Sequence, residues 1–105
     1  MNYYVSRLEK CKLMEFYPTN ISYVVLIRPK VFSDDRGYFM EIYQEKTLKA
    51  ADLQERFVQE NQSGSCQGTL RGLHYQIKYA QGKLIGVLSG NIFDVVVDIR
   101  RNSPT

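Results

Sequence analysis

Residues 23–44 read Tyr-Val-Val-Leu-Ile-Arg-Pro-Lys-Val-Phe-Ser-Asp-Asp-Arg-Gly-Tyr-Phe-Met-Glu-Ile-Tyr-Gln. The first ten residues, 23–32, are rich in β-branched and aromatic side chains. Such side chains fit a pleated, half-buried surface and predict a strand, with Pro29 marking an edge or a bend. Residues 33–37, Ser-Asp-Asp-Arg-Gly, are short polar side chains closed by a glycine able to take a positive φ, which is turn chemistry. Residues 38–44 alternate and predict a second strand. Strand, tight turn and strand in this order argue for antiparallel β structure.

The rest of the chain extends the pattern. Residues 46–56 place Leu48, Ala51 and Leu53 among charged residues, the spacing of a short amphipathic helix. Residues 57–61 predict a strand, 62–68 a loop, and 69–77 a strand. Residues 82–88 and 92–100 predict two more, joined by the Ser89-Gly90-Asn91 hairpin turn. Alternation in the last puts Phe93, Val95, Val97 and Ile99 on one face and Asp94, Val96 and Asp98 on the other. Several short strands at regular spacing with one small helix predict an all-β sandwich or barrel.

The chain has 105 residues, room for one domain. Its 44% hydrophobic content is too high for disorder to be the main state. No stretch approaches a membrane span, and residues 24–27 are too short for a signal-peptide core, so a cytoplasmic location is expected. Residues 1–13 lack a clear period. They are expected to be an N-terminal extension, with Met14 as the alternative start of a single domain over 14–105. The net charge of +3 comes from scattered bases. It suits a phosphate-bearing small molecule as well as a polymer. Cys11 and Cys66 are far apart and form no CxxC, so neither a zinc site nor a disulfide framework is indicated. His74, the one histidine in the sequence, excludes a multi-histidine metal site.

Three segments carry chemistry beyond what their strand settings need. In residues 35–41, Arg36 and Glu41 bracket Phe39. A cation, a flat ring and an anion together suit a nucleotide, with arginine on phosphate and phenylalanine on the base. The plain alternative is a turn and an exposed strand with a surface ion pair, and spacing alone favours it. Gln59 and Asn61 project two amides from one strand face, suited to sugar hydroxyls or a base, although the pattern alone favours a solvated sheet face. In residues 70–76, Leu-Arg-Gly-Leu-His-Tyr-Gln, strict alternation groups Gly72, His74 and Gln76 against Arg71, Leu73 and Tyr75, unless a bulge intervenes at Gly72. A neutral histidine is a good general base near pH 7, although a lone strand histidine is more often structural. Lys83 follows Gln81-Gly82 among apolar neighbours. Its amine is either aimed at a partner or snorkelling to solvent.

These motifs together resemble one family. Residues 32–41 (Phe-Ser-Asp-Asp-Arg-Gly-Tyr-Phe-Met-Glu), 58–63 (Val-Gln-Glu-Asn-Gln-Ser), 70–76, 81–84 (Gln-Gly-Lys-Leu) and 94–100 (Asp-Val-Val-Val-Asp-Ile-Arg), then Ser-Pro-Thr, are similar to dTDP-4-dehydrorhamnose 3,5-epimerases in order and spacing. The resemblance runs from about Met14 to the last residue. It implies an antiparallel cupin-type β-jelly roll, incomplete at its C-terminus, with one short helix and a strand-exchanging homodimer. It implies epimerisation of a dTDP-linked 4-keto-6-deoxyhexose at C3 and C5, without metal or organic cofactor, nucleic acid or membrane. It implies His74 as base and Lys83 as the enolate stabiliser, with Arg36, Phe39, Glu41, Gln59, Asn61 and Arg71 binding substrate. The tyrosine acid and the histidine-orienting aspartate of that family match nothing in this chain. The readings left open are the epimerase or its N-terminal part, an inactive nucleotide-sugar-binding or dimerisation module, and a related cupin ketoisomerase.

Overall fold

The structure is a computed structural model that describes residues 13–105. The expected extension over 1–13 lies outside the described residues, except for Leu13, whose carbonyl accepts from Lys30 N at 2.8 Å. Two compact units divide the chain: one includes the residues up to Gln54 together with Val95–Thr105, the other spans Glu55–Asp94.

Among the described residues, the first unit holds all the regular structure. Strands β1 (Met14–Pro18) and β2 (Val25–Pro29) pair antiparallel, with Met14 opposite Pro29 and Pro18 opposite Val25. Period-2 alternation turns Val25, Ile27 and Pro29 towards cover and leaves Leu26 and Arg28 exposed. On the exposed face Arg28 lies 5.0 Å from the Tyr17 ring centroid, and Tyr17 donates to Glu15. The connection is held by Thr19, whose N–H donates to Val24 O at 3.3 Å and whose hydroxyl donates to the same oxygen at 2.9 Å.

Strands β3 (Val31–Asp34) and β4 (Gly37–Met40) form a hairpin with Phe32 opposite Phe39 and Asp34 opposite Gly37. The expected strand over 23–32 is thus two strands. Pro29 closes β2, and only Lys30 separates it from β3. Gly37 has φ +134°, a backbone state that a side chain disfavours.

Helix α1 (Glu45–Ala50) is shorter than the expected 46–56. Gln44 starts it by accepting from Thr47 N at 2.9 Å. Lys49 Nζ reaches Glu45 Oε1 at 2.8 Å along one face. Asp52, at φ +63°, turns the chain out, while Ala51 N and Leu53 N donate to Leu48 O. These bonds, with Asp52 N donating to Lys49 O at 3.1 Å, satisfy carbonyls that a longer helix would have used. The buried apolar side chains among the described residues are Met14 and Leu48.

The strands expected over 57–61, 69–77, 82–88 and 92–100 do not form among the described residues. The backbone bonds seen in this part close turns, Thr69 N to Cys66 O and Ser103 N to Arg100 O. Alternation marks a segment able to be a strand, but a strand needs a neighbour for its N–H and C=O groups. Without one, the apolar side chains stay in solvent, Phe93 at 93% and Leu70 at 90% exposure. The hairpin turn at 89–91 is present only as a bend. Among the described residues the chain is therefore antiparallel β with one short helix.

Candidate functional site

The sequence-selected residues fall into two sets, one in each unit. Arg36, Phe39 and Glu41 belong to the first, and Gln59, Asn61, Arg71, His74 and Lys83 to the second.

The first set is built by the β3–β4 turn. Asp34 folds back over the two-residue loop, accepting from Arg36 N at 2.9 Å and from Arg36 Nε at 3.1 Å. The guanidinium hydrogen bond, followed by the backbone bond, holds the Asp34 carboxyl below its ordinary range. The same pair raises Arg36 above its own. Arg36 is thus paired with Asp34. Glu41 lies beyond β4, half-buried, and its Oε1 is buried with no hydrogen-bond partner among the described residues. Phe32, Ser33, Asp34, Arg36, Tyr38 and Phe39 line an open concavity of about 430 Å³. Lys30 Nζ stands 5.1 Å from the Phe32 ring centroid. Flat rings with cations beside them suit a planar, anionic ligand. Phe32, Tyr38 and Lys30 were missed as site residues. The available signal was the turn itself: a two-residue loop at 35–36 sets Phe32 opposite Phe39.

In the second set Gln59 Nε2 donates to Asn61 Oδ1 at 3.3 Å, which brings the two amides into contact although residues 57–61 form no strand. Arg71 is anchored to the loop before it, Nε to Ser65 Oγ at 2.9 Å and Nη2 to Gly64 O at 3.0 Å. Gly72 takes φ +108°, a backbone state that a side chain disfavours. His74 and Lys83 are both exposed, and no hydrogen bond joins them. Gly82, beside Lys83, is crossed by Glu55: a Cβ there would stand 3.1 Å from Glu55 Cγ.

One charged cluster was not selected from sequence. Asp98 accepts from Arg100 N at 3.0 Å, Arg100 Nε at 2.9 Å and Thr105 Oγ1 at 3.1 Å, and also from Ser103 Oγ. The Arg100 and Ser103 bonds, in that order, hold its carboxyl far below the ordinary range. Arg100 in turn lies 5.5 Å from the Tyr23 ring centroid.

Fold and site together define an antiparallel β protein that presents cations, amides and aromatic rings from turns and extended segments. Comparison with known proteins narrows that class. The family model for dTDP-4-dehydrorhamnose 3,5-epimerase matches residues 18–105. A relative of that name from Methanothermobacter thermautotrophicus is 49% identical over 90 residues, covering 86% of this chain and 49% of its own. Those from Shigella flexneri and Pseudomonas aeruginosa are 50% identical over 94 residues and 53% over 83, covering 88% and 78% of this chain and 52% and 46% of theirs. The chain belongs to the dTDP-4-dehydrorhamnose 3,5-epimerase family, and it spans about half the length of these relatives. No solved structure matches it.

Proposed function

We propose that this chain provides the base, the enolate stabiliser and the nucleotide-sugar contacts of a 3,5-epimerase acting on dTDP-4-keto-6-deoxy-D-glucose. The observation that carries the reading is the extent of the family match: residues 18–105 include every candidate side chain. Residues 14–105 supply the N-terminal part of one cupin-type β-jelly roll, working as a homodimer in the cytoplasm, where nucleotide sugars are made and used.

Each half of the reaction starts at a carbon beside the C4 ketone. A ring nitrogen of His74 takes the proton, the C–H electron pair moves into the C–C bond, and the carbonyl π pair moves onto oxygen. Lys83 places its ammonium at that oxygen, where a fixed cation lowers the barrier most. Return of a proton to the opposite face completes the inversion and needs a separate acid. Arg71 holds the diphosphate. Arg36, Phe39 and Glu41 hold the nucleotide, and Gln59 with Asn61 adds polar contacts.

One observation favours a second reading, a binding module without turnover. The His74 imidazole makes no hydrogen bond among the described residues, so no carboxylate there fixes its tautomer. Proton NMR of the 4-keto sugar nucleotide in D₂O with the purified chain separates the two. Deuterium entering at C3 or C5, and lost in His74→Asn, supports the epimerase chemistry. Exchange at the buffer rate, with dTDP bound, supports the binding module.

A further inference from the structure

Among the described residues Arg36, Arg71 and Arg100 each have the Nε edge of the guanidinium engaged, but by different partners. Arg36 turns that edge to the Asp34 carboxylate. Arg100 turns it to the carboxylate at the centre of the Asp98 clasp. Both charges are thereby compensated. Arg71 turns the same edge to neutral oxygens, Nε to Ser65 Oγ at 2.9 Å and Nη2 to Gly64 O at 3.0 Å. No ion pair reaches Arg71 among the described residues. Its guanidinium is therefore fixed in direction while its charge stays uncompensated.

The chain between anchor and arginine makes this geometry locally. Gly68, at φ +83°, and the bond from Thr69 N to Cys66 O at 3.2 Å close a turn, and Arg71 comes back to Gly64 and Ser65. A guanidinium is a rigid plane whose N–H groups point in fixed directions. Both anchors use the edge formed by Nε and one Nη2 hydrogen. The end-on pair remains, one hydrogen on Nη1 and the second on Nη2. These two are parallel and match two oxygens of a single phosphate.

We propose that Ser65 is a positioning residue, which with the Gly64 carbonyl aims the end-on pair of Arg71 at one phosphate of the nucleotide diphosphate; the role rests on Arg71 being the diphosphate contact. Ser65 acts through Arg71 alone. A long side chain ordered before the ligand arrives has less rotamer freedom to lose on binding.

A double-mutant cycle tests this, with dTDP titrated into the 105-residue chain and binding read by calorimetry, or by ligand NMR where it is weak. Ser65→Ala should weaken binding about 2- to 5-fold. Ser65→Thr keeps the hydroxyl and should recover the wild-type affinity. In the Arg71→Ala background the Ser65→Ala step should change nothing, because groups in contact are not additive. A serine that only stabilised its loop would cost the same factor in both backgrounds. That result overturns the positioning role and leaves Arg71 its own. Wild-type affinity in Ser65→Ala overturns it as well. Equal affinity in wild type and Arg71→Ala, or a wild type that binds no dTDP, removes the diphosphate reading and the positioning role with it.

Discussion

Replacing Arg71 by alanine should separate two roles that the structure gives one side chain. Its Nε and one Nη2 hydrogen are committed to Ser65 Oγ at 2.9 Å and Gly64 O at 3.0 Å. Nη1 and the second Nη2 hydrogen remain for an anion. The two anchoring bonds go to neutral acceptors on an exposed loop, so each is worth about 0.5–1.5 kcal/mol or less. A bond from the guanidinium to a phosphate is charge-assisted and worth about 1.5–3 kcal/mol. At about 1.4 kcal/mol per tenfold, Arg71→Ala should weaken dTDP binding about 10- to 150-fold. Ser65→Ala leaves the charge and one anchor in place and should cost about 2- to 5-fold, the lower part of the neutral-bond range. Arg71→Lys keeps the charge without the planar fork and should fall between them. Titration calorimetry with dTDP at low and high salt is the assay. The Arg71→Ala deficit should shrink at high salt, because the lost contact is ionic. Equal affinity in wild type and Arg71→Ala would refute the phosphate assignment. A Ser65→Ala loss as large as that of Arg71→Ala would show that loop anchoring is the whole effect.

Leu48 is 2% exposed, and Leu48→Ala should destabilise the chain by about 2–3 kcal/mol, read as a lower urea midpoint at unchanged slope. Gly82→Ala should displace Glu55, whose Cγ would stand 3.1 Å from the new Cβ; if the clash is local, Gly82→Ala with Glu55→Gly should recover the wild-type melting temperature. The Asp98 carboxyl is held below its ordinary value of 3.8. Its stabilising contribution is therefore complete above that value and is lost as pH falls towards the folded-state value. Wild type and Asp98→Asn should then show stability curves that run parallel from pH 7 to 5 and converge below about pH 4, and curves that converge already at pH 6 would exclude the clasp as the cause.

The local features of this chain were legible because their causes are local. The Asp34-Asp35-Arg36-Gly37 run specified the β3–β4 turn, since short polar side chains and a glycine at positive φ make that geometry cheap. Pro29 located the break between β2 and β3 because it has no N–H to give a ladder. Helix α1 was visible in spacing, but its end was not: the turn at Asp52 depends on which N–H groups reach Leu48 O. Strand β1 was not read as a strand, because Met14–Pro18 becomes one through its pairing with β2.

The partner of each charge was decided only in three dimensions. Proximity along the chain puts Arg36 with Glu41, whereas the turn folds Asp34 back onto the guanidinium and leaves a Glu41 oxygen buried without a hydrogen bond among the described residues. Asp98 was assigned to a strand face, and the folded chain makes it the centre of a clasp. The segments over 57–61, 69–77, 82–88 and 92–100 carry strand composition without becoming strands. A helix closes its hydrogen bonds within its own sequence, whereas a strand is completed by a neighbour that can lie anywhere in the chain or in another one.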